Sequence, residues 1–139
     1  MRILAAAAIG GFAVIALPLA ASADTERFTA QLTADADTAA KPGAPHGSAS
    51  LSLDTATKTV SWTIEYAGLS GAVREVTCGA LDSLAGPPLR LTSNLASPIT
   101  GSKALSDPEI AGLAAGRWVC VIESANDEAE IGGVLQPAR

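Results

Sequence analysis

Thr59 to Gly71, TVSWTIEYAGLSG, constrains this chain more than any other stretch. Val60, Trp62, Ile64 and Tyr66 alternate with Thr59, Ser61, Thr63 and Glu65. Strand side chains point to opposite faces in turn, so a period of two in β-branched and aromatic residues predicts a strand with one buried face. Gly68 and Gly71 end it. Past the first 23 residues the aromatics are Phe28, Trp62, Tyr66 and Trp118. Two of the four lie here, so this strand is expected to carry the centre of the core.

The same alternation recurs along the chain. Phe28, Ala30 and Leu32 alternate with Thr29, Gln31 and Thr33, and Ala49, Leu51 and Leu53 alternate with serines in Ser48 to Asp54. Thr55 to Lys58 is a connection of hairpin length, so the Leu51 and Trp62 strands are expected to pair antiparallel. Ala34 to Gly47, with Pro42, Gly43, Pro45 and His46, reads as a loop. Ala72 to Gly79 is a further strand, with Arg74, Val76 and Cys78 on one parity. Leu81 to Arg90 holds Gly86, Pro87 and Pro88 and reads as an irregular crossing. Leu89 to Thr92 and Pro98 to Leu105 are short strands, the second softened by Gly101. Ser106 to Gly116 is the single convincing helix. Ser106 and Glu109 form a capping box, Pro108 suits the first turn, Ile110, Leu113 and Ala114 share a face, and Gly116 is a left-handed cap. Arg117 to Glu123 places Trp118, Cys120 and Ile122 on one face and Val119 and Val121 on the other, a central strand covered on both sides. Ala129 to Leu135 is the last strand, and Gln136 to Arg139 a tail. Seven to eight short strands with one short helix predict an all-β, antiparallel Greek-key sandwich or barrel.

The first residues, MRILAAAAIGGFAVIALPLAASAD, combine Arg2, an uncharged apolar run and Ala21-Ser22-Ala23. This is the pattern of a signal peptide over residues 1–23, cut before Asp24; an uncleaved anchor is the alternative. Residues 24–139 then form one domain, expected in a bacterial periplasm or outside the cell, with no membrane contact after cleavage. Without Arg2 the chain carries 8 basic against 14 acidic residues, a net charge of −6. That balance gives no footprint for nucleic acid and favours a soluble monomer.

Export matters most for Cys78 and Cys120, the only cysteines. In an oxidising compartment two cysteines 42 positions apart, each on an apolar strand face, are expected to form a structural disulfide. A redox-active pair is the alternative. Catalytic pairs are usually closer in sequence, beside a helix start or a cation that lowers one thiol's pKa.

FTAQLT near the start, SASLSLDTATKTVSWTIEYAGLSGAV in the middle and SPITGSKALSDPEIAGLAAGRWVCVIESANDEAEIGGVL towards the end follow one another as in the CHRD (chordin-type) domain family, which this chain resembles over nearly all of residues 24–139. The resemblance implies a secreted β-sandwich similar in topology to copper–zinc superoxide dismutases, with a binding or structural role. It also implies a His-x-His-Gly motif and one further histidine. Val76, Cys78 and Ile122 stand at those positions, so all three histidines are absent. Gly79, Asn126, Glu130, Ile131 and Gly133 keep the family's pattern. The resemblance, with residue parity, implies that a disulfide and apolar packing replace a polar cluster on the face of Val76, Cys78, Trp118, Cys120 and Ile122.

No catalytic constellation emerges, and the expectation is a protein that is not an enzyme and has no cofactor or metal. A copper or zinc site needs several converging His or Cys ligands, and past the leader the one histidine is His46. Glu123, Asp127, Glu128 and Glu130 cluster around one turn and could offer calcium oxygen ligands, as could Asp35 and Asp37, but no loop of fixed ligand spacing accompanies them. Arg74, Arg90 and Arg117 are candidates for an anion and read better as solvated surface. Trp62 and Trp118 could stack a sugar, but their register points inward. The reading is a secreted or periplasmic binding or structural module whose partner is an unidentified protein or extracellular ligand. A metal-binding or redox protein related to a dismutase-like barrel is the alternative.

Overall fold

A computed structural model describes residues 24–80 and 88–138. The leader at 1–23, and residues 81–87 of the expected irregular crossing, lie outside the described residues. The chain runs β1 (Thr25–Thr33), α1 (Ala36–Ala39), β2 (His46–Asp54), β3 (Thr59–Ala67), β4 (Val73–Ala80), β5 (Leu89–Leu91), β6 (Ile99–Ala104), α2 (Asp107–Ala114), β7 (Trp118–Ser124), β8 (Asp127–Val134) and β9 (Gln136–Pro137).

All described strand pairs are antiparallel. The strand order is β5-β4-β7-β8-β1-β2-β3-β6, with β9 also on β1. The path divides at a thin seam, because β1 and β8 share one register pair, Thr33 with Gly132. On one side β1, β2, β3 and β6 form an extensive half-sheet; on the other lie β8, β7, β4 and β5. The chain crosses between the halves from β3 to β4, from β5 to β6 and again through α2 to β7, which gives the expected Greek-key all-β architecture.

The alternation read from the sequence sets the core. Phe28, Ala30 and Leu32 of β1, Ala49, Leu51 and Leu53 of β2, and Val60, Trp62 and Ile64 of β3 are all buried. Val76 and Cys78 of β4, Trp118, Cys120 and Ile122 of β7, and Ile131 join them in a single cluster. Tyr66, expected with the buried set, is half-buried; its hydroxyl donates to the Leu95 carbonyl at 2.6 Å. The outer face of β7 is only partly covered among the described residues, with Val119 and Val121 half-buried, where the sequence pattern suggested cover on both sides.

Gly101 proves to be a packing residue. It sits opposite Trp62 across β3 and β6, and a Cβ there would lie 2.5 Å from the Trp62 ring. The indole occupies the space a side chain would need, so the edge strand is thin where the large ring spreads. Two further glycines mark close backbone approaches. At Gly133 a Cβ would collide with the Gln31 carbonyl, where β8 closes on β1, and at Gly79 it would lie 2.7 Å from Pro88.

Helix α2 follows its sequence signals. Ser106 Oγ accepts from the Glu109 N–H at 3.3 Å, and Glu109 returns a carboxylate oxygen to the Ser106 N–H at 2.8 Å. Gly116 has φ +74, its N–H donates to Leu113 O, and the Arg117 N–H donates to Gly112 O, a paired C-terminal cap. The buried stripe differs from expectation: Leu113 and Gly112 are buried, Ile110 partly, and Ala114 is exposed. The helix packs on β4 through that narrow face.

Three local elements were missed in the sequence. Asp35 accepts from the Thr38 N–H at 3.0 Å and caps the single turn α1 inside the expected loop. These bonds hold its carboxyl below the ordinary value. His46 is not a loop residue but opens β2, between Thr33 and Ala67. Gln136 and Pro137, read as tail, pair with Thr29 and Phe28.

Gly133→Ala forces a methyl into the β1–β8 seam. Denaturant unfolding should show a loss of about 1–3 kcal/mol at unchanged m-value; an unchanged midpoint would mean the seam yields without cost.

Candidate functional site

The sequence pointed to two places, the cysteine face and the acidic turn. Strands β4 and β7 bring the first together. Their register sets Val76 against Ile122 and Cys78 against Cys120, and β8 continues the rows with Ile131 and Gly133. Cys78 and Cys120 are disulfide-bonded, with Cα atoms 4.1 Å apart. Both strands bury their apolar parity, so the bridge lies inside the core, with Cys78 1% and Cys120 0% exposed. Val76, Ile122 and Trp118 are buried around it. A cluster of this composition offers close packing and no lone pair to a ligand. Among the described residues the buried indole N–H groups of Trp62 and Trp118 have no hydrogen-bond partner, which costs stability and is tolerated for the area each ring buries.

The acidic turn divides in two. Glu123, Asp127 and Glu128 line an open depression beside Arg74. Glu130 turns the other way and is 6% exposed. Its carboxylate accepts from the Ser70 N–H at 2.7 Å and the Ser70 hydroxyl at 3.0 Å, and Ser124 donates a third hydrogen bond. Asn126 closes the ring: its side-chain amide donates to the Ser70 carbonyl at 2.7 Å and its N–H to Ser124 Oγ at 3.2 Å. A buried carboxylate thus ties the bend after β3 to the turn between β7 and β8. Gly71 packs closely there: a Cβ would stand 3.0 Å from the Asn126 amide. Burial pushes the Glu130 carboxyl up, and the hydrogen bonds from Ser124 and Ser70 outweigh it, leaving the group below its ordinary value of 4.5.

Among the described residues, no three His, Cys, Asp or Glu side chains are grouped to hold a metal ion. Asp35 is engaged in helix capping. Arg90 pairs with Glu75 at 3.4 Å on the exposed side of β4 and β5, an ion pair of little energetic weight. Sequence reasoning missed the Glu130 network. Glu130 stood in an acidic run like any solvated edge, and its partner Ser70 lies 60 positions away.

A family model described as CHRD domain matches residues 28–135. No curated protein and no solved structure matches the chain.

Two outcomes follow for stability. Reducing the bridge, or replacing both cysteines by alanine, should cost about 4 kcal/mol, the closure entropy of a 42-residue loop, read as a lower denaturation midpoint. Because the folded Glu130 carboxyl lies below its unfolded value, its contribution is complete above about pH 4.5 and is lost as pH falls through the folded value. Glu130→Gln should lower stability at pH 7 by about 1–3 kcal/mol. It should also flatten the acid limb of the stability–pH curve; an unchanged limb would assign acid sensitivity elsewhere.

Proposed function

This chain belongs to the CHRD domain family, and from that premise we propose that it is a secreted or periplasmic, non-catalytic module with a binding or structural role. One observation carries the reading. The face where the family resemblance expects a histidine cluster is here the buried set Val76, Cys78, Trp118, Cys120 and Ile122, closed by a disulfide. Such a face holds a sandwich in shape and leaves loops and outer sheet surfaces for contact with a partner. The disulfide itself agrees with an oxidising destination, as does the signal-peptide pattern of residues 1–23. Among the described residues no helix is long and apolar enough to cross a membrane.

A redox or metal protein on the same scaffold is the competing reading. Intact mass of the chain exported to an oxidising compartment separates the two, taken native and denatured without reductant. The expected result is an N-terminus at Asp24, a denatured mass two hydrogens below the fully reduced value, and no metal adduct under native conditions. Two free thiols with near one bound transition metal per chain would reverse the order of the two readings.

A further inference from the structure

The outward face of β1, β2 and β3 carries a second polar site, apart from the acidic turn. Gln31, Ser48 and Glu65 stand in one register row across the three strands. With His46, Tyr66 and Ser97 they line a cleft of about 400 Å³, within the range of small-ligand sites. Among the described residues the side chains of Gln31, Ser48 and Glu65 form no hydrogen bond or ion pair, unlike Glu75, Glu109 and Glu130, which are all engaged.

The remaining groups are held in place. A carbonyl oxygen can only accept, so His46 Nδ1 donates to Ala44 O at 3.1 Å. In the neutral ring that leaves the Nε2 lone pair for a ligand. The Tyr66 ring is fixed by its hydroxyl bond to Leu95 O at 2.6 Å. Ser97 Oγ accepts from the Tyr66 N–H at 3.2 Å and keeps its own hydrogen to give.

The charge of the cleft narrows the ligand. No lysine or arginine lines it, and Glu65 is its single carboxylate. An anion would meet repulsion, and a cation would find one exposed counter-charge. Amide, carboxylate and imidazole groups suit the neighbouring hydroxyls of a saccharide, which both donate and accept. The adjoining register row, Thr29, Ser50, Thr63 and Thr100, continues the surface with four uncharged, exposed hydroxyls. We propose that this cleft and row bind a neutral saccharide chain laid across the strands. The inference rests on the binding-module reading and names its ligand class.

The test uses the exported, disulfide-bonded chain labelled with ¹⁵N. Neutral hexasaccharides of glucose, mannose and N-acetylglucosamine are titrated, with hexasaccharides of uronic acids as the anionic control. Support is a set of amide shifts centred on Gln31, Ser48, Glu65 and Ser97 with at least one neutral chain. The double variant Gln31→Ala, Glu65→Ala should bind about tenfold more weakly or worse while keeping the wild-type thermal midpoint. Among the described residues these side chains have no internal partners, so the fold should tolerate the change. If Glu65→Gln binds as wild type, recognition is by hydrogen bonding rather than charge, as a neutral ligand requires. No shift with any neutral hexasaccharide, preference for the uronic acids, or undiminished binding by the double variant would overturn the proposal. Shifts confined to another face would overturn it and leave the module reading standing. Shortening of the hexasaccharide by the protein would instead overturn the non-catalytic reading and leave the cleft as a saccharide site.

Discussion

The pairing of β4 with β7 holds the smaller half of this sandwich together. It sets Cys78 against Cys120 and Val76 against Ile122, so one covalent link and one apolar contact occupy successive positions of the same inward face. That face meets Phe28, Leu51 and Trp62 from the other half in a common cluster. A polar group placed there would need partners the surrounding apolar side chains cannot supply, at a cost of about 1–3 kcal/mol for each one left unmade. The whole neighbourhood of the bridge is apolar to match.

Polar interactions that matter are kept at the end of the sandwich. Glu130 is buried, but it reaches Ser70 and Ser124 and leaves neither carboxylate oxygen unpaired. Surface pairs such as Lys58–Asp107, at 2.8 Å between exposed side chains, contribute far less because water screens them. Four residues near these contacts have separate physical reasons. Asn126 and Glu130 bind the bend after β3. Gly79 admits Pro88, and Gly133 admits the Gln31 carbonyl.

Most of the sheet was legible because burial and strand geometry share a period of two. Phe28 to Leu32, Ala49 to Leu53 and Val60 to Ile64 read correctly from alternation alone. Helix α2 was legible through its caps, which are local in sequence. What escaped depended on distant partners. Gln136 and Pro137 become a strand only because β1 offers an edge to them. Glu130 became a network residue through Ser70, and Gly101, taken as a weakness in a strand, is explained by an indole on its neighbour. His46 was misplaced because Pro45 and Gly43 dominate the local signal while the pairing with Thr33 and Ala67 decides the outcome. The cleft beside it was invisible for the same reason, since Gln31, Ser48 and Glu65 meet only through register.

The thin seam at β1 bears on how the chain reaches its fold. The first strand is flanked at one end by Gly132 of β8 and at the other by Gln136 and Pro137, all about a hundred positions further along the chain. A polypeptide that emerges amino-terminus first, from a ribosome or an export pore, can form the β1–β2–β3 meander early. It cannot close around β1 until residues 132–137 are free. Closure across so long a sequence separation is slow relative to local pairing, so β1 joins β8 and β9 late, after the meander has formed.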